Sequence, residues 1–193
     1  MHLCTVQSVM IVLLLAGCAD QSSVKSVELL DERTGVTMGA LQEPIAFIEI
    51  GFYDLLDTFP KQASVIYLGP VEWDRSGEYT YGLWVQVAPG VGGHRLDDIR
   101  AQGAVTLKLD DGPVTLSTID VPKEASSPYS PMVPWGQTAY FAIDVAMLKR
   151  MAASKKIVLD VRAVDLTMVE FIPFQEPNTA LTRFMHERGI TVD

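Results

Sequence analysis

Cysteine, histidine and basic residues are scarce in this chain of 193 residues. It has two cysteines and three histidines, and 15 Lys and Arg stand against 24 Asp and Glu, which gives a formal net charge of −9. Nucleic acid and bare anionic membranes are bound through clusters of Lys and Arg, so the charge argues against both as partners. Glycine and proline are too few for a fibrous protein, and with 48% hydrophobic residues the chain is too apolar to be disordered.

The first seventeen residues contain no Asp, Glu, Lys or Arg, and their apolar centre at 9–15 is too short to span a bilayer, which takes about 20 residues. Such a segment is typical of a secretory signal. It ends in Leu15-Ala16-Gly17-Cys18, which resembles a bacterial lipobox. In that motif the residues Leu15, Ala16 and Gly17 are recognised by the signal peptidase, and the thiol of Cys18 takes the lipid. The alternative is a buried N-terminal strand or helix that happens to end in a cysteine.

Cleavage before Cys18 would remove Cys4 with the signal and leave no cysteine pair for a disulfide. The sequence then predicts a signal peptide at 1–17, a lipidated N-terminus and flexible tether at 18–26, and one domain at 27–193. No cofactor is expected apart from the covalent lipid on Cys18. This lipid would anchor the protein to the membrane. Ala19, rather than Asp, follows Cys18, and in the lipoproteins that this motif resembles, this favours the outer membrane, with the domain facing the periplasm.

The domain shows mainly the period-two alternation of β-strands. In residues 78–87, Tyr79, Tyr81, Leu83, Val85 and Val87 alternate with Glu78, Thr80, Gly82, Trp84 and Gln86, as in a strand buried on one face. Turn sequences at 74–77 and 111–112 predict two β-hairpins, because glycine supplies the positive φ of a tight turn.

Helical periodicity is limited to short segments. Asp144 is a candidate cap for a helix through Ala153, residues 179–188 form a second helical pattern, and residues 95–102 suggest a further turn. The predicted fold is therefore mainly β, an antiparallel β-sandwich or partly closed barrel with two or three short helices.

Three segments also resemble a group of uncharacterised proteobacterial lipoproteins. They are residues 30–37 (LDERTGVT), 41–47 and 67–77 (YLGPVEWDRSG), followed by Tyr79, Tyr81, Leu83 and Trp84. The resemblance implies an envelope localisation and a fold shared across most of the mature chain. It implies no activity and no catalytic residue.

Residues able to carry chemistry are few. His94 lies near Asp97 and Asp98, which suggests a metal site, but no second His or Cys is close in sequence and Arg95 would repel a cation. We therefore predict no metal, and no catalytic residue is assigned. His186 is the other histidine of the mature chain, and either histidine would need a nucleophile within reach to support hydrolysis.

The most informative surface candidate is the connection at 121–136, VPKEASSPYSPMVPWG, which contains four prolines. Long loops without secondary structure are uncommon unless they are functional or disordered, and proline stiffening argues against disorder. A polyproline-like arm presenting Tyr129, Met132 and Trp135 would bind a partner at low entropic cost. The alternative is that the loop closes one end of the fold and buries Trp135. Trp84 is a second candidate, either exposed on its sheet or covered by a short helix.

These observations favour a non-enzymatic, membrane-anchored lipoprotein that binds or assembles with another protein of the bacterial envelope. A periplasmic binder of a small molecule or glycan, using the arm from Tyr129 to Trp135, is the second hypothesis, and it requires a concave pocket. An envelope hydrolase is the third. It requires His94 or His186 beside a nucleophile in a cleft.

Overall fold

The computed structural model describes residues 25–50, 64–90, 95–120 and 127–191. The protein is mainly β, as predicted, and two helices occur in the described part of the chain. Residues 95–102, the suggested third helix, form an isolated bridge at Leu96 and turns instead. The elements are β1 (Ser26–Asp31), β2 (Val36–Leu41), β3 (Ile45–Glu49), β4 (Val65–Arg75), β5 (Glu78–Ala88), β6 (Val105–Leu109), β7 (Gly112–Thr115), β8 (Gln137–Ile143), α1 (Val145–Ala153), β9 (Val158–Arg162), β10 (Met168–Pro173) and α2 (Pro177–Glu187).

The two predicted hairpins are confirmed. The turn between β4 and β5 places Ser76 and Gly77 at positive φ (56° and 90°), and Asp74 Oδ1 accepts a hydrogen bond from Gly77 N at 2.7 Å. This is the geometry of the tight turns that join twisted antiparallel strands. Gly112, at φ 128°, begins β7 after the second turn.

β4 is the hub of a single antiparallel sheet. Along one edge all of its residues pair with β5, which in turn pairs with β8. Along the other edge its second half pairs with β2 and its first half with β3. From these two strands the sheet continues in both directions, to β1 beyond β2, and to β10, β9, β6 and β7 beyond β3.

The chain that follows β7 brings the two ends of this curled sheet together. Leu116 N donates to Val105 O of β6 at 3.0 Å. Farther along, Ile119 N donates to Tyr140 O of β8, and Ala142 N donates to Ser117 O, both at 2.9 Å. One short segment therefore hydrogen-bonds to strands at opposite ends of the sheet, which makes the fold a partly closed barrel.

Both helices contribute to the core inside the barrel. Asp144 caps α1 as predicted, its carboxylate accepting from Met147 N at 2.7 Å. Helix α2 begins at Pro177, two residues before the predicted start, because proline is well suited to a first helical turn. Buried side chains of the helices join those of the inward strand face, among them Leu148, Met151, Leu181, Phe184 and Met185 from the helices and Phe47, Leu83, Phe141, Leu159 and Phe171 from the strands.

The prediction of a strand buried on one face is wrong for most of β5. Residues 82–87 are buried on both faces, and the exposed fraction of Trp84 and of Gln86 is 0%. Part of the outer face of the barrel is therefore covered as well as its interior.

Candidate functional site

Residues 127–136, here called the strap, lie against the outer face of β4, β5 and β8. The ring centroid of Tyr129 lies 5.0 Å from that of Trp84. Trp84 is therefore neither an exposed binding residue nor dependent on a short helix for its aromatic partner, which comes from the strap. Trp84 and Gln86 are both fully buried on this face of β5 because the strap covers it.

Tyr129 anchors the strap because its side chain is buried against the sheet, with 3% of its surface exposed. Its ring lies over Gly69, where an added Cβ would be 2.2 Å from the ring carbon Cζ. Residue 69 therefore has to be glycine for the ring to fit. Tyr129 is a buried anchor and not a surface contact, which corrects its place among the predicted partner-binding residues.

The hydroxyl of Tyr129 repairs a gap in the sheet. Four residues of the β2–β3 edge, 41–44, lie opposite only two residues of β4, so the ladder is interrupted there. Leu41 N donates to the Tyr129 hydroxyl at 3.0 Å, and the hydroxyl donates to Pro70 O at 2.9 Å. One side chain thus satisfies two backbone groups that would otherwise be buried without partners. Burial raises the pKa of Tyr129, which keeps the hydroxyl protonated and able to donate.

The same gap accounts for a proline inside a central strand. Proline lacks the N–H that a ladder needs and is confined to edges and bulges. Pro70 lies opposite the interruption, and its carbonyl accepts from the Tyr129 hydroxyl instead of from a neighbouring strand. The proline, the glycine before it and the tyrosine of the strap therefore form one structural unit.

Gln86 is the second anchor of the strap. Its fully buried side chain accepts from Met132 N at Oε1 (2.7 Å) and donates from Nε2 to Val133 O (2.9 Å). Because a buried amide is costly unless it is hydrogen-bonded, these contacts hold the strap in one register. At Gly136 a Cβ would be 2.8 Å from both Gln86 Nε2 and Val87 O, so only glycine permits this close approach.

The strap also forms a turn and exposes apolar side chains. Gly136 N donates to Val133 O at 3.2 Å, which closes a turn with Pro134 and Trp135 at its corner. Trp135 is 69% exposed and Met132 is 51% exposed, and Pro131 and Pro134 are also exposed. The strap is therefore bent rather than a continuous polyproline helix, and the aromatic residue that it buries is Tyr129 and not Trp135.

The structure thus divides the four predicted contact residues into two pairs. Met132 and Trp135 lie on the surface, whereas Tyr129 and Trp84 form the layer beneath them. Sequence reasoning missed Gln86, which the alternation of β5 placed on a solvent-facing side. The available signal was that Gln86 lies between the apolar residues Val85 and Val87. A polar side chain in such a place often hydrogen-bonds to backbone groups of another segment.

The carboxylates considered for a metal are paired with cations where the structure describes them. Asp97 Oδ2 lies 2.9 Å from Arg162 Nη2, and Asp98 Oδ1 lies 3.1 Å from Arg100 Nε. The backbone N–H of Asp98 and then the Arg162 guanidinium lower the pKa of Asp97. Within the described ranges, no three His, Cys, Asp or Glu side chains are grouped to hold a metal ion.

Other predicted residues have different outcomes. His186 lies exposed on α2. The candidate His94 and the lipobox at Leu15, Ala16, Gly17 and Cys18 lie outside the described residues.

Comparisons with protein-family models, curated proteins and solved structures give no match to this chain. In the part of the chain that the structure describes, neither helix has the length and apolar character needed to cross a bilayer.

The site therefore consists of an uncharged apolar corner held in place by two buried anchors. Preorganisation of this kind favours binding, because a contact residue that is already fixed loses little conformational entropy when a partner arrives. Its corner residue, Trp135, is 69% exposed and is therefore accessible to another molecule.

Proposed function

We propose that this protein is a lipid-anchored, non-enzymatic binding module of the bacterial envelope, and that the strap contacts a protein partner through Met132 and Trp135. The observation that carries the proposal is the contrast between the buried anchors of the strap and its exposed side chains. Tyr129 and Gln86 are buried anchors with satisfied hydrogen bonds, yet the side chains that they position are left on the surface.

The energetic argument concerns the exposed tryptophan. An exposed Trp contributes little to the stability of its own domain, so a rigid turn that presents one is typical of an interface hot spot. Truncating such a residue typically weakens binding by 2 kcal/mol or more, roughly a thirtyfold change in the dissociation constant.

The first test concerns this surface. A photo-crosslinking amino acid at position 135 should give a discrete protein adduct in intact cells, and Trp135→Ala in the otherwise native protein should weaken capture of that partner while the thermal midpoint stays within about 1 °C of wild type. The matched control is the same pair of changes at Tyr79, a 58% exposed residue at the start of β5.

An equal adduct pattern from positions 135 and 79 would contradict a specific strap interface. A large drop in the thermal midpoint for Trp135→Ala would show that the side chain stabilises the fold. An adduct with glycan and not with protein would favour the second hypothesis.

The anchor has its own test, which does not depend on the strap. The lipobox-like sequence supports lipidation of Cys18, and β1 begins at Ser26, eight residues later. We expect Cys18→Ala to abolish acylation and to shift the protein from the membrane fraction to the soluble fraction. The variant would lose the residue that carries the acyl chains, and stable attachment to a membrane depends on those chains. Mass spectrometry of the N-terminal peptide and fractionation measure the two effects. Unchanged membrane association would contradict the anchor, and Cys4→Ala is the control.

A further inference from the structure

A buried ionic cluster lies where the end of α2 meets β1, away from the strap. Arg188, the residue after α2, has a side chain that is 10% exposed, and Glu72 of β4 is 6% exposed. Arg188 Nη1 lies 3.1 Å from Glu28 Oε2 and 3.8 Å from Glu72 Oε1. Arg188 Nη2 also donates to Ser26 Oγ at 3.1 Å. One guanidinium therefore joins the end of α2 to the first residues of β1 and faces two carboxylates.

The backbone leaves space for this guanidinium. A Cβ at Gly39 of β2 would be 2.8 Å from Arg188 Cζ, Nε and Nη1. The arginine therefore lies directly on the strand, between the exposed carboxylate of Glu28 and the buried one of Glu72. Any side chain at position 39 would displace it.

The hydrogen bonding of this cluster is incomplete. Among the described residues, Glu72 Oε2 and Arg188 Nε are buried without a hydrogen-bond partner. A buried carboxylate oxygen without a partner destabilises the ionised form more than the protonated one. Two carboxylates and one guanidinium also leave one net negative charge when both acids are ionised, whereas a proton on Glu72 makes the cluster neutral.

The surroundings of Glu72 favour that proton. Burial raises the pKa of Glu72, and the hydrogen bond from Tyr81 and the charge of Arg188 oppose the increase only in part. The charged and titratable groups around it are Arg188 beyond α2, Glu28 of β1, Asp74 of β4 and Tyr81 of β5, while β2 contributes the uncharged Gly39. Burial, followed by the adjacent carboxylate, raises the pKa of Tyr81 to about 12, so Tyr81 stays a neutral donor.

We propose that Glu72 and Glu28 compete for Arg188, and that this cluster is a pH-responsive clasp that fastens α2 to β1 more firmly as Glu72 takes up a proton. With Glu72 neutral, the guanidinium pairs undivided with Glu28 and Ser26, both on β1. With Glu72 ionised, Arg188 is drawn towards β4, and its contact with β1 weakens. β1 is the first strand in the described part of the chain, so the clasp controls how tightly residues 26–31 are held.

The direction of the pH effect follows from linkage. A carboxyl group with a raised pKa in the folded protein contributes stability that is fully present below its unfolded pKa and is lost as the pH rises through its folded pKa. Acidification from alkaline pH therefore tightens the clasp until other carboxylates with lowered pKa values, such as Asp97 and Glu187, begin to protonate.

The test compares the purified full chain with Glu72→Gln, which mimics the protonated acid, and with Glu43→Gln at an exposed position as the control. We expect Glu72→Gln to melt about 2 °C or more above wild type at pH 8.5, and the difference between the two melting temperatures to become smaller as the pH falls. Amide exchange, corrected for the intrinsic pH dependence, should show β1 and the last turn of α2 gaining protection on acidification in wild type but not in Glu72→Gln.

Parallel pH profiles for wild type and Glu72→Gln, in melting and in exchange, would overturn the proposal. So would a carboxyl ¹³C titration showing that the pKa of Glu72 is not raised above the value of an unperturbed glutamate. The melting and exchange profiles remain informative if Glu72→Gln is less stable than wild type, because it is their dependence on pH that is compared.

Discussion

Tyr129→Ala is expected to lower the free energy of unfolding by about 3–5 kcal/mol, the range found when a large aromatic side chain is removed from a core. The ring fills the space between Gly69 and Trp84. Gly69 has no side chain that could fill this space once the ring is removed. Because domains are stable by only about 5–15 kcal/mol, this one change approaches the limit of what the fold tolerates.

Tyr129→Phe separates the hydroxyl from the ring. It leaves Leu41 N–H and Pro70 C=O buried without their shared partner, and each unpaired group costs about 1–3 kcal/mol. We expect a loss of about 2–4 kcal/mol in urea unfolding. Tyr79→Phe, at an exposed position, should stay within about 0.5 kcal/mol of wild type. If Tyr129→Phe behaved like this control, the hydroxyl would not be closing the gap between β2 and β4.

Arg188→Met is the second change with a large expected effect. It leaves the ionised carboxylate of Glu72 buried without a cation, and breaking a buried ion pair in this way typically costs about 3–5 kcal/mol. The loss should be greatest near pH 8 and smaller near pH 5, because Glu72 is already inclined towards the protonated state by its burial. Urea unfolding at the two pH values measures both effects.

A double variant identifies the cause of this loss. Adding Glu72→Gln to Arg188→Met removes the charge that the methionine leaves behind, and we expect most of the stability at pH 8 to return. Arg183→Met is the matched control, since Arg183 forms an exposed pair with Glu187 on the same helix, and such pairs contribute about 0–1 kcal/mol. Equal stability of the single and double variants would show that the loss does not come from an uncompensated charge on Glu72.

The parts of the fold that could be predicted from the sequence are those set by neighbouring residues. The turn at Ser76 and Gly77 and the cap at Asp144 both depend on hydrogen bonds within three residues, so their local signals were sufficient. The alternation in β5 correctly separated its two faces, but no local pattern shows that a distant strap covers one of them.

The candidate site shows the same limit more sharply. Composition marked 121–136 as unusual and named both of its aromatic residues, but it could not distinguish the buried one from the exposed one. That choice is made at Gly69 and at the interruption opposite Pro70, and the hydrogen bond from Leu41 to Tyr129 spans 88 residues. The competition for Arg188 was equally inaccessible, because it joins residues 28, 72 and 188.

The pairing of β3 with distant parts of the chain also affects how the protein folds. β3 pairs with β10, and Phe47 lies opposite Pro173 in that pairing. The interruption opposite Pro70 is stabilised by Tyr129, which is also distant in sequence. Contacts this distant raise the contact order, and folding slows as contact order increases. During synthesis β1, β2, β4 and β5 can pair with one another, but the second edge of β3 stays unpaired until β10 has been made. Until then, the unpaired backbone edge of β3 is exposed to chaperone binding or to aggregation.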